Sequence, residues 1–373
     1  MSNRREFVLL ALRANSHVRG LCRRFGISPK TGYKWIQRYR QQGEAGLEER
    51  SRRPHHSPAR SDEAAEQRIV ALHRAYPCWG ARKLRSLLPE AGGRPHHSTV
   101  EAVLKRQGCQ VQSPPLGAGA APGRFEHAWP NELWQMDFKG HFPLLDARAG
   151  RCHPLTLIDD HSRYALCLKA CADERGRTVQ AHLIEVFRRY GLPRRITADN
   201  GPPWGTMGHA GLSALEVWLI RLGIRVSHSR PYHPQTQGKL ERFHQTLKRE
   251  LLARTGFATI GQCQHELDQW RHRYNQQRPH QALGQHPPLS RYQPSARAYP
   301  ETLPPIEYEP GDWLLTVRTK GQIQVRGRNV FVGEGLVGQQ VALRPTQRDG
   351  VFDIVFIYKT LRQIDFTANP GPD

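Results

Sequence analysis

No run of apolar residues in this 373-residue sequence approaches the roughly 18 uncharged positions that a membrane-spanning helix needs, so a bilayer-embedded protein is not expected. The stretch from Phe7 to Leu12 is cut off by Arg13 and has no small-residue cleavage site after it, so it does not read as a signal peptide and a cytoplasmic location is expected. Cysteine is sparse. Seven thiols, an odd number scattered over the chain, fit reduced side chains better than a disulfide framework. Acidic residues are also in short supply: 33 Asp+Glu face 55 Lys+Arg, a formal charge of +22. No internal repeat stands out by inspection. What is present, 38% hydrophobic and 24% charged residues, is enough to build cores, and the length suggests about two to four domains. A strongly basic chain of this kind calls for a polyanionic partner.

The charge is concentrated at the start, where residues 1 to 60 hold 14 Lys+Arg against 4 Glu. Val18, Leu21, Cys22 and Phe25 recur at helical spacing, Gly26 interrupts, and Ser28 with Pro29 then supplies an N-cap and a first helical residue. The second helix is expected to run to Gln42, to stop at Gly43, and to bury Tyr33, Ile36 and Tyr39. Lys30, Lys34 and Arg38 follow one another at four-residue intervals on its basic side. Helix, glycine turn and basic helix predict a helix-turn-helix DNA-binding domain over residues 1–50, with those three cations as DNA contacts rather than a merely solvated face.

After a basic connector, Arg50 to Arg60, residues 61–110 predict a second helical, helix-turn-helix-like DNA-binding domain, with a helical spacer as the alternative. Ile69, Leu72 and His73, then Leu84, Leu87 and Leu88, form apolar stripes, and Ser98 with Glu101 suggests a capping box opening a helix that ends at Gly108. Residues 111–124 contain SPPLGAGAAP, too rich in breakers to form an element, and read as a linker. Beyond it LWQMDFKGHF, HPLTLIDDHSRYALCLKA and RRITADN look like strands, with a helix from Thr178 to Tyr190, so residues 125–295 are expected to be an α/β domain. A Pro-rich passage leads into residues 306–373, where WLLTVRT, QIQVRG, NVFVGE, QQVALRP and VFDIVFIY predict a small SH3-like β-barrel.

Three carboxylates invite chemistry. Period-two alternation sets Trp134, Met136 and Phe138 against Gln135, Asp137 and Lys139, so Asp137 points away from the apolar face of its strand. Asp199 ends a strand where Asn200-Gly201 begins a turn. Glu241 lies near the start of a helix whose buried stripe is Leu240, Phe243, Leu247 and Leu251, which leaves Glu241, Gln245 and Lys248 on another face. Brought together, such acids repel unless a divalent cation lies among them. Hard oxygen donors suit Mg²⁺ or Mn²⁺, and two such ions can serve both the attacking and the leaving oxygens of a phosphoryl transfer. Taken singly, each acid has a plain alternative as a strand end, a turn residue or a solvated helix residue.

The stretches WQMDF, TADNG and PYHPQTQGKLERFHQTLK resemble the integrase core of DDE transposases encoded by bacterial insertion sequences, a core similar to that of retroviral integrases. The resemblance covers roughly residues 125 to 295 and includes LIDDHSRYAL and YNQQRPHQAL. It implies a multidomain α+β protein with an RNase H-like core, and Asp137, Asp199 and Glu241 as a metal-binding catalytic triad holding two Mg²⁺ or Mn²⁺ ions. It further implies binding of insertion-sequence ends, 3′-end cleavage and strand transfer into target double-stranded DNA, by a homo-oligomeric synaptic complex associated with the bacterial nucleoid. The second interval, 42 positions, exceeds the family's usual spacing of about 35 intervening residues. The extra length is assigned to PPWGTMGHAG after Asp199, whose Trp204 could equally stack on a base or fill the core.

Seven Lys+Arg against 2 Glu over residues 225 to 254 add Lys248, and less strongly Lys239, Arg242 and His233, as candidate DNA contacts. Asp159 and Asp160 read as hairpin-turn residues, and Asp173 and Glu174 as a helix entry. His161, Cys167 and Cys171 lack a second pair with zinc-ligand spacing, and His55-His56 and His96-His97 do not make the ligand pattern of a retroviral amino-terminal zinc domain. A catalytically inactive or domesticated transposase acting as a DNA-binding regulator, or another RNase H-like nuclease such as a junction resolvase, are the competing readings.

Overall fold

The computed structural model describes residues 3–49, 61–90, 93–109, 126–205, 211–228 and 238–367. The linker expected at 111–124, the Arg50 to Arg60 connector, most of the extended loop after Trp204, and His233 with its neighbours lie outside these residues. The chain divides into two compact units, Met1–Glu63 and Ala64–Asp373.

In the first unit, α1 (Asn3–Ala11), α2 (Val18–Arg24) and α3 (Pro29–Gln42) enclose Phe7, Val8, Ala11, Cys22 and Ile36. The ends of α3 are those its sequence dictates. The Ser28 side chain accepts from Thr31 N–H, Pro29 occupies the first turn, and Gly43 closes the helix at φ 60°. The buried stripe differs from expectation: Tyr33 is 53% exposed, and the inward face carries Gly32 instead. A Cβ at Gly32 would stand 2.5 Å from Cys22 Sγ and 2.8 Å from the Phe7 ring. The bare backbone therefore lets α3 press on α1 and α2, and Tyr33, one position round the helix, is turned out beside Lys34.

The second unit begins with α4 (Glu63–Ala75), α5 (Ala81–Leu87) and α6 (His97–Arg106), packed through Ile69, Trp79, Leu84, Val100, Val103 and Leu104. The cap of α6 is not the expected Ser98. His96 is the N-cap, and its ring nitrogen accepts from Ser98 N–H, so Ser98 lies inside the first turn.

The α/β domain is three-layered. Its sheet contains β1 (Trp134–Phe138), β2 (Phe142–Pro143), β3 (Arg151–Asp159), β4 (Ala165–Cys171), β5 (Arg195–Ala198) and β6 (Arg225–His228). Strand β1 is central, antiparallel to β3 and parallel to β5; β4 and β2 pair with β3, and β6 extends the sheet beyond β5. Trp134, Met136 and Phe138 face α7 (Gly176–Tyr190) and α8 (Ala214–Arg221) in one core. On the other face α9 (Gly238–Leu247), a π-helical segment (Lys248–Leu252) and α10 (Ile260–Gln276) bury the anticipated Leu240, Phe243, Leu247 and Leu251. The long run HPLTLIDDHSRYALCLKA is two strands. Asp159 terminates the first by accepting from Asn131 N–H at 2.7 Å and from Ser162 N–H and O–H at 2.8 and 2.6 Å, so its role in the turn is structural.

The carboxy-terminal domain comprises β7 (Trp313–Thr316), β8 (Gln322–Val325), β9 (Arg328–Phe331), β10 (Gln340–Pro345), β11 (Val351–Phe356) and β12 (Lys359–Asp365). Hydrogen bonding joins them as a four-stranded sheet, β12-β11-β10-β7, and a two-stranded sheet, β8-β9. Their common core takes in Leu212 and, from α8, Val217 and Ile220. Tyr358 O–H donates to the Ile224 carbonyl at 2.9 Å and accepts from Val226 N–H at 3.3 Å, so the domain covers the outer edge of β6, which would otherwise offer unpaired backbone groups.

Candidate active site

Strands β1 and β5 run parallel with Trp134 opposite Ile196 and Gln135 opposite Thr197. The same offset carried forward sets Asp137 level with Asp199, which stands one residue past the end of β5. The consequence is visible in Asp137, whose carboxyl is pushed up to about 7 by burial and then by the charge of Asp199. Glu241 lies on the exposed face of α9 with Arg242 and Gln245, and Lys248, which opens the π-helical segment, is exposed as well. The sheet therefore brings Asp137 and Asp199 together; the oxygens of all three acids do not lie within 4.8 Å of one another. Asp137 and Asp199 offer carboxylate oxygens only, and the repulsion at Asp137 is what a hard divalent cation would relieve, so this pair fits such an ion.

Three polar linkages that sequence reasoning missed hold the segments carrying these acids. Thr156 O–H donates to the Asp137 carbonyl at 2.7 Å, and its oxygen in turn accepts from His244 Nε2–H at 2.7 Å. Burial and then Lys139 lower His244 to about 3, which keeps the ring neutral and its single proton committed to that chain. The signal was available, since His244 lies three residues beyond Glu241, one turn along the same helix.

The second linkage supports Asp199. His228 donates through Nδ1 to the Asp199 carbonyl at 2.8 Å and through Nε2 to Glu216 at 2.9 Å. Two acceptors require the doubly protonated ring, and its pKa is raised by the Glu216 hydrogen bond. Burial opposes ionisation of Glu216, yet the hydrogen bonds from His228 and Ser213 hold its pKa below the ordinary value.

The third corrects an expectation. Lys239, anticipated as a DNA contact, turns inward: Nζ lies 2.6 Å from Asp160 Oδ2 and 3.2 Å from the Asp160 carbonyl. Asp160 is 1% exposed and also accepts from Gln135 and from His127 N–H, so a buried carboxylate captures the ammonium and fastens the start of α9 two residues before Glu241. Lys239→Met should destabilise the protein by about 3 kcal/mol in urea melts, because a buried charge loses its counter-ion. Adding Asp160→Asn should recover part of the loss, and equal stability of Lys239→Met and parent would contradict the linkage.

Among the remaining candidates, Lys30 and Lys34 are exposed and Arg38 half-buried on α3, while Arg242 and Lys248 are exposed beside Glu241. Trp204 fills the core: it is 4% exposed and packs its ring 5.5 Å from that of Phe138. Cys167 and Cys171 are buried in the same core and belong to no grouping of three metal-capable side chains among the described residues, although Cys171 pairs across the strands with His153.

Residues 127–234 and 222–288 match the family described as integrase core domain, residues 3–55 a helix-turn-helix domain, 31–104 a homeodomain-like domain, and 312–370 the C-terminal domain of IS481 family transposases. An insertion element IS407 uncharacterized 31.7 kDa protein of Burkholderia multivorans is 28% identical over 61% of this chain and 79% of its own. A 39.2 kDa protein of insertion element IS476 from Xanthomonas euvesicatoria is 28% identical over 65% of this chain and 69% of its own. The chain is an insertion-sequence transposase with an integrase core. The catalytic core domain of BIV integrase, a solved structure, aligns with 43% of the transposase and 92% of its own chain at 25% identity and a TM-score of 0.33. The transposase carries helix-turn-helix DNA-binding domains ahead of its core. Among the described residues, no helix is long and apolar enough to cross a membrane.

Proposed function

We propose that the transposase binds the ends of its insertion sequence, cleaves there to free a 3′-hydroxyl, and joins that hydroxyl to target DNA, as an assembly of at least two copies. Asp137, Asp199 and Glu241 would hold two Mg²⁺ or Mn²⁺ ions. Such ions, when bound, polarise the phosphodiester and neutralise the charge that develops during displacement. Joining exchanges one phosphodiester for another, so no external energy source enters. The chief support is the parallel register that brings Asp137 and Asp199 together, with the Asp137 carboxyl pushed up to about 7.

The protein's own groups position the rest. Lys30, Lys34 and Arg38 contact phosphates of the element end, while Arg242 and Lys248 hold the DNA backbone beside Glu241. The His244–Thr156 chain and the Lys239–Asp160 pair keep α9 on the sheet, and His228 with Glu216 fixes the backbone at Asp199. The carboxy-terminal sheets are read as an SH3-like barrel.

The test is a set of labelled element ends incubated with supercoiled plasmid and Mg²⁺ or EDTA. Joined products, lost in EDTA, are expected. Cut but unjoined ends would instead indicate a nuclease, and binding without cutting a regulator.

A further inference from the structure

The geometry points to a second kind of metal site on the transposase, formed by His141, His153 and Glu174 and suited to a borderline divalent ion such as Zn²⁺. One ligand atom from each of these side chains lies within 4.8 Å of the other two, the sole such grouping of three His, Cys, Asp or Glu residues among the described ones. They come from three separate segments. His141 follows β1, His153 lies in β3, and Glu174 precedes α7. His153 Nδ1 is 2.8 Å from Glu174 Oε1, and the two imidazole rings are 5.2 Å apart between centroids.

The donor chemistry differs from that of the acidic pair, although Glu174 is near enough to Asp137 for its charge to help raise the Asp137 carboxyl. Two imidazoles and one carboxylate favour Zn²⁺, Co²⁺ or Ni²⁺, whereas Mg²⁺ and Ca²⁺ take oxygen ligands. Zinc binds at about 2.0–2.2 Å from nitrogen and oxygen donors. Ligand atoms already within 4.8 Å therefore need only side-chain rotation to converge, with the metal replacing the His153–Glu174 hydrogen bond. His141 is exposed and the other two are half-buried, which gives an ion a path in and leaves a fourth position to water. The guanidinium of Arg151 touches His141 Nε2 and competes with a cation, so it must swing outward when the ion enters. An ion here would tie the exit of β1, four residues beyond Asp137, to β3 and to the loop before α7. Such a site would form whether or not Asp137, Asp199 and Glu241 are catalytic.

The experiment titrates the full-length, chelator-stripped protein with Zn²⁺ against a chromophoric competitor, in millimolar Mg²⁺, and repeats the titration with Co²⁺ to read its visible spectrum. One site per chain is expected, with affinity at least about tenfold lower in His153→Gln and in Glu174→Gln. It should be retained in Asp137→Asn/Asp199→Asn, and tightened in Arg151→Gln. His141→Ala removes a solvent-exposed ring, and its thermal melt should match that of the parent while its Zn²⁺ site is lost. X-ray absorption should show only nitrogen and oxygen neighbours. Unchanged stoichiometry and affinity in His141→Ala/His153→Gln/Glu174→Gln, or sulfur in the zinc shell, would overturn the assignment.

Discussion

Asp137→Asn, Asp199→Asn and Glu241→Gln should each lower strand transfer at least about a thousand-fold while binding to the element ends is retained. An amide keeps the shape of the carboxyl and removes its charge, so the substitution acts on cation binding more than on packing. Binding should survive because α3, with Lys30, Lys34 and Arg38, belongs to the other compact unit. The three losses should also fail to add: a double variant should be about as inactive as a single one, since the acids act as a unit. Gel-shift and joining assays on the same preparations separate the two effects. Substantial joining by any one of these variants would remove that residue from the proposed triad.

The second large effect is on stability. The Asp137 carboxyl stands at about 7 in the folded protein, against 3.8 for the unperturbed group, because burial and then Asp199 oppose its charge. The folded state thus holds this proton more tightly than the unfolded chain does. Its stabilising contribution is complete below about pH 4, declines as pH rises, and is gone once pH has passed through 7. Between pH 5 and pH 8 without divalent cations the parent should therefore lose about 3 kcal/mol relative to Asp137→Asn, which cannot ionise there. Mg²⁺ should stabilise the parent more at pH 8 than at pH 5 and should do little for the variant. Paired urea melts at these pH values in EDTA measure the difference. A gap between parent and variant that stays constant with pH would show that Asp137 does not carry this strain.

Local chemistry made much of the protein readable beforehand. Ser28, Pro29 and Gly43 mark the ends of α3 to the residue, because capping and left-handed closure depend on side chains at the boundary itself. The Leu240, Phe243, Leu247 and Leu251 stripe and the alternation along β1 survive in the fold because burying one face leaves a period that can be counted. Alternation, a turn and a helix stripe singled out the three acids, and the resemblance of WQMDF, TADNG and the GKLER segment to integrase cores implied that they act as a set; no spacing along the chain could have paired Asp137 with Asp199.

Order along the chain thus determined which segments are helix or strand, where the basic charge lies, and which family this transposase joins. Tertiary structure alone decided which polar groups meet. The inward turn of Lys239 onto Asp160, the support of Asp199 by His228, the burial of Trp204 against Phe138 and the gathering of His141, His153 and Glu174 each join residues from different elements. Periodicity records which way a side chain points from its own helix or strand. It carries no record of what stands opposite, and at a charged site the opposing group decides whether a lysine meets DNA or a buried carboxylate.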